Sequence, residues 1–102
     1  MILRVVKMKV ENNKLEAFEL FMKNLHDEKL KLPGCLHFDF FHERQNKNVY
    51  YTYTIWENEK FLKQYKKSDL FKEVVSTLKS LCLEEPQAWT IENVFNQVSH
   101  EE

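Results

Sequence analysis

Residues Leu32–Glu59 read LPGCLHFDFFHERQNKNVYYTYTIWENE, and this stretch decides the fold. Pro33 and Gly34 stop whatever precedes them, since proline cannot continue a helix and glycine readily turns the chain. From Cys35 the period is two: Leu36, Phe38 and Phe40 fall on one side, His37, Asp39 and Phe41 on the other. HERQNKN then supplies a polar loop, and VYYTYTIW resumes with β-branched and aromatic residues. Two strands joined by a short polar loop pair antiparallel, so the stretch predicts a hairpin. Alternation puts Tyr51 and Tyr53 on one face of the second strand and Tyr50 and Trp56 on the other. Which face meets the rest of the molecule stays open.

Upstream, ILRVVKMKV alternates Val6, Met8 and Val10 against Lys7 and Lys9, the pattern of a strand with one wet face. Asn12 and Asn13 offer helix-cap chemistry, and Leu15, Phe18, Phe21, Met22 and Leu25 recur at spacings of three and four. Downstream, Phe61, Leu62 and Tyr65 form one short helical segment. Leu70, Phe71, Val74, Val75, Leu78 and Leu81 form the next, with Ser68 as the cap between them. Pro86 ends that helix, and AWTIENVF, residues 88–95, alternates as a last strand. The order is βαββαβ, an α+β fold of the ferredoxin-like type with a four-stranded antiparallel sheet.

Two helical layers can shield only one face of such a sheet. Because strands two to four are apolar or aromatic on both sides, the second face is expected to meet another apolar surface. A homodimer joined sheet to sheet is the expected solution.

A chain of 102 residues is expected to form one domain, residues 1–95, with 96–102 as a tail. Fifteen Lys and Arg against sixteen Asp and Glu give a net charge of -1, which favours neither nucleic acid nor an anionic membrane. No apolar run approaches a membrane span, MILRVVKMKVENN lacks the features of a signal peptide, and the cytoplasm is the expected compartment. Cys35 and Cys82 lack metal-ligand spacing and read as two buried free thiols. The four histidines form no two-histidine helical motif, so no metal site is expected.

The order Pro33-Gly34-Cys35, strand, hairpin, aromatic strand ending Trp56-Glu57, then a helix with Ser68-Asp69-x-Phe71 resembles the antibiotic biosynthesis monooxygenase family. The resemblance runs from strand one to about Leu81 and implies a dimeric α/β barrel. It implies several unlike activities: cofactorless oxygenation of anthrones or quinols, isomerisation of a phosphorylated sugar, and haem degradation. The positions matching the haem-degrading members hold Val6, Tyr65 and Val75, and valine cannot ligate iron. Those matching the isomerase cluster hold Thr54, Tyr65 and Leu70, without its acid and bases.

An aromatic pocket with few polar groups suits a planar, apolar, aromatic small molecule better than a phosphosugar. The expected function is therefore a cofactor-independent monooxygenase acting on a quinol-like or polyphenolic molecule. Tyr65 could donate a hydrogen bond to substrate, Trp56 could wall the pocket, and His37 could act as a base. Tyr51, Tyr53, Thr54, Phe61 and Leu70 are the expected substrate-binding residues. For His37, pairing with Asp39 at a dimer seam is the competing role, and for Trp56, core packing is. A non-catalytic binding or sensing module on the same pocket is the alternative function.

Overall fold

The computed structural model describes residues 1–94. The elements follow the expected order: β1 (Ile2–Lys9), a 3-10 turn (Asn12–Lys14), α1 (Leu15–Leu30), β2 (Cys35–His42), β3 (Val49–Trp56), α2 (Glu59–Lys66), α3 (Asp69–Leu81) and β4 (Gln87–Ile91). The sheet order is β2-β3-β1-β4, and every neighbouring pair is antiparallel. This is the ferredoxin-like arrangement, with β1 and β3 in the middle and all helices on one face.

The parity of β3 settles which face the helices cover. Tyr50, Thr52, Thr54 and Trp56 are buried, whereas Tyr51, Tyr53 and Ile55 are only half-buried. Met8 of β1 and Val10 just beyond it are buried too, and Phe18, Met22 and Leu25 pack with them from α1. Val74 and Leu78 of α3 close the same core. A second apolar group gathers Cys35, Trp56, Leu62 and Tyr65, with Phe61, Leu70 and Phe71 packed against it.

Local signals explain the breaks between elements. Ser68 Oγ accepts from the Phe71 backbone N–H at 3.1 Å, so the expected cap separates α2 from α3. Gly34 has φ 77°, and its carbonyl accepts from Glu57 N–H at 2.8 Å, tying the start of β2 to the end of β3.

Three expectations need correction. The asparagines do not cap α1: they open a 3-10 turn, and Lys14 precedes the helix without a side-chain cap. Leu36 does not share the buried side of Phe38, because a bulge between Cys35 and His37 sets Cys35 opposite Trp56 and leaves Leu36 exposed. The last strand ends at Ile91 rather than reaching residue 95. Ile91 pairs with Leu3, so β1 has almost no residues left beyond it to continue the ladder. Phe95 and the expected tail lie outside the described residues.

Candidate functional site

Between the sheet and the helices lies a cavity of about 290 Å³. Val6 and Met8 of β1, Met22 and Leu25 of α1, Phe38 of β2, and Phe71, Val74 and Leu78 of α3 make its wall apolar. Besides Thr52, the side chains with strong hydrogen-bonding groups that border it include Arg4 from β1, Lys29 from α1 and Tyr65 from α2. Lys79 and the exposed Glu85 stand with Pro86 where α3 gives way to β4.

Lys29 is the unexpected residue. It is only 6% exposed, and its Nζ donates to Thr54 Oγ1 at 3.0 Å. The ammonium lies 4.4 Å from the centroid of Phe38, 5.0 Å from that of Tyr65 and 6.0 Å from that of Trp56. Burial pulls its pKa down to about 8; nearby Cys35 acts upward, and the Arg4 charge adds to the depression. Arg4 donates from Nη1 to Thr90 Oγ1 at 2.9 Å. Neither cation has a carboxylate partner among the described residues.

Of the eight side chains expected at a site, Tyr65 alone borders this cavity. Burial raises its pKa, so the phenol stays protonated and is a donor rather than a base. Trp56 packs behind it with ring centroids 5.3 Å apart and is fully buried. Its indole Nε1 has no hydrogen-bond partner among the described residues, unlike the satisfied strand-end tryptophan that core packing alone would predict. Thr54 is buried and holds Lys29 from behind, while Phe61 and Leu70 support the Trp56 group.

His37, Tyr51 and Tyr53 are elsewhere. Odd-numbered β3 residues face away from the helices, and the bulge gives His37 the same orientation opposite Ile55. His37 Nε2 pairs with Asp39 Oδ2, and its ring meets the edge of Tyr53 at 6.3 Å. The expected trio of Tyr65, Trp56 and His37 is thus split by the thickness of the sheet. Cys35 is buried and Cys82 half-buried, both free, and burial raises the pKa of each thiol.

Lys29 and Arg4 were missed, yet both carried a signal. Phe18, Met22, Leu25 and Lys29 step by four, three and four along one stripe of α1. Arg4 shares the parity of Val6 and Met8 in β1. Their charge suggests solvent, whereas their position turns both toward the helix-covered face, where Lys29 is buried and Arg4 half-buried.

Comparison with known proteins places this geometry in a family. A search of the curated proteins finds no match. Among solved structures, a conserved protein of Methanosarcina mazei Go1 is 29% identical with a TM-score of 0.84, the alignment covering 91% of this chain and 93% of that one. A conserved protein of Bacteroides thetaiotaomicron VPI-5482 is 24% identical with a TM-score of 0.80, covering 90% and 97%. An asparagine-to-alanine variant of SnoaB, a cofactor-independent oxygenase from Streptomyces nogalater, shares the fold at 16% identity and a TM-score of 0.81, covering 91% and 92%. The family model described as antibiotic biosynthesis monooxygenase matches residues 1–77, which span both core strands, α1, the β2–β3 hairpin, α2 and most of α3. The chain belongs to the antibiotic biosynthesis monooxygenase family.

Proposed function

We propose that this protein is a cofactor-independent monooxygenase acting on a quinol-like or polyphenolic molecule held between sheet and helices. The feature that carries the assignment is the cavity: apolar and aromatic over most of its wall, with Lys29, Arg4 and Tyr65 as polar groups. A flat ring fills the apolar part, and its oxygen finds donors. The similarity in fold to SnoaB, named as a cofactor-independent oxygenase, supports the same chemistry.

In such a reaction the substrate supplies every electron. Loss of a phenolic or enolic proton gives an anion that reacts with O₂; one oxygen atom enters the ring carbon that bore hydrogen, and the other leaves as water. The four electrons taken up by O₂ all come from substrate: an anthrone CH₂ carbon loses four in becoming C=O, whereas a quinol loses two at the ring carbon that gains a hydroxyl and two in passing to the quinone. The protein's work is to exclude water, orient the ring and stabilise the anion. Tyr65 can donate to the substrate oxygen, and Trp56 and Phe38 can hold the walls in place. Chelator-treated protein should consume O₂ with at least one member of a panel of quinols and anthrones, and Tyr65→Phe should slow it. No uptake above buffer with any member would remove this assignment.

One observation favours a second reading, a non-catalytic binding module: Thr54 and Leu70 stand where an acid and a base would act in the isomerases. It predicts saturable ligand binding without O₂ uptake. In either case we assign the uncovered sheet face, with Trp89 46% and Phe41 51% exposed, to a second copy of the chain in a cytoplasmic homodimer.

A further inference from the structure

We propose that the cavity selects an anionic ligand: a planar aromatic acid, enolate or phenolate whose charged oxygen is held by the Lys29 ammonium and the Arg4 guanidinium. The proposal rests on the cavity being the ligand site assigned above, but not on turnover.

Besides Lys79, two cations from different elements, Arg4 and Lys29, border one small apolar cavity, and among the described residues each side chain has only a threonine hydroxyl as hydrogen-bond partner. Burying one ammonium without a counter-charge is costly, and a second cation nearby adds repulsion. The lysines that do pair with acids, Lys14 with Glu11 and Lys63 with Glu59, keep their side chains at least partly exposed, whereas Lys29 is buried with no carboxylate partner among the described residues. The one carboxylate bordering the cavity is Glu85, exposed where α3 gives way to β4. Among the described residues, nothing inside therefore neutralises Lys29 and Arg4. An entering oxyanion would receive two charge-assisted hydrogen bonds and relieve the repulsion between the cations. A neutral ring of the same shape would leave both costs in place.

Lys29 is also pre-positioned. Thr54 fixes its Nζ from the β3 side, while the rings of Phe38, Tyr65 and Trp56 surround it. The neighbouring titratable groups are Arg4 from β1, Cys35 from β2 and Tyr65 from α2, with Lys79 and Glu85 farther along the cavity wall. Burial raises the pKa of both Cys35 and Tyr65, so each stays neutral while Lys29 loses its proton. Selectivity for an anion should consequently fade as pH rises through the lysine's own titration near about 8.

The test uses lawsone, a hydroxynaphthoquinone that is ionised at neutral pH, and its methyl ether, which is not. Titration calorimetry on the full chain should show lawsone binding about tenfold more tightly than the ether. Lys29→Met should abolish the preference, Lys29→Arg should keep most of it, and raising the pH of the unaltered protein from about 7 to about 9.5 should erode it. Equal affinities, no binding of either compound, or an unchanged preference in Lys29→Met would each overturn the proposal. Should Lys29→Met fail to fold, Lys29→Arg and the pH series on the unaltered chain decide. Anion preference without O₂ uptake would leave this inference standing and remove the oxygenase; O₂ uptake with equal affinities would do the reverse.

Discussion

Lys29 replaces its hydration shell with one hydroxyl and three aromatic faces. A buried cation with depressed pKa weakens the fold, because the unfolded chain binds the proton more readily. The sign follows: between about 8 and the ordinary lysine value of 10.5 the unfolded state carries more protons, so stability from this group rises with pH across that window. Below about 8 the penalty is present in full. Lys29→Met should therefore be more stable than the unaltered protein at neutral pH, by about 1–3 kcal/mol. The difference should shrink toward pH 10. Urea denaturation of both proteins at several pH values measures it. A residue whose removal stabilises the fold is one whose retention calls for a functional reason. Position along α1 was legible in the spacing of Phe18, Met22, Leu25 and Lys29; the burial of its charge was not, because lysine stems often reach past an apolar stripe to water.

The turn before β2 and the split helix after β3 show how elements are positioned by single residues. Gly34 has a positive φ, and a Cβ there would run into the ring of Phe61 from α2. Gly34→Ala should cost about 2–4 kcal/mol, read as a fall in the urea midpoint at constant slope. Adding Phe61→Ala should recover only a small part of the loss, since it removes the clashing ring atoms but leaves the close Phe61 Cβ and the backbone strain in place. Sequence alone located this turn from Pro33-Gly34 and the helix break from Ser68, because both are local chemistry. It could not locate the bulge at Leu36, which arises where Cys35 is drawn opposite Trp56 while His37 keeps its place opposite Ile55. A two-residue period carries no record of such a slip.

For the whole molecule, helices on one face leave the other as an apolar sheet. Leu3, Val5, Tyr53 and Ile55 are half-buried at its middle, while Trp89, Ile91 and Phe41 are exposed toward its edges. Lys7, Lys9 and the His37–Asp39 pair share that face and give it a polar margin. Sedimentation at micromolar concentration should show a dimer, and Tyr53→Lys should shift it to monomer, since an unpaired charge at the centre of a packed face costs several kcal/mol. A monomeric unaltered chain would remove the pairing. His37, Tyr51 and Tyr53 lie on this face and away from the cavity, as their parity in the sheet requires.

Strand and helix succession was readable from periodicity, because a period of two or of 3.6 residues is imposed by the backbone itself. From that followed the ferredoxin-like order and the need to cover a second apolar face. Alternation is symmetric, however: it divides β3 into two faces without saying which one receives the helices. Only their packing across the sheet broke that symmetry, sending Thr54 and Trp56 inward and Tyr51 and Tyr53 outward. The same packing enclosed Arg4 and Lys29, residues far apart in the chain, around one cavity, a proximity that no local pattern encodes.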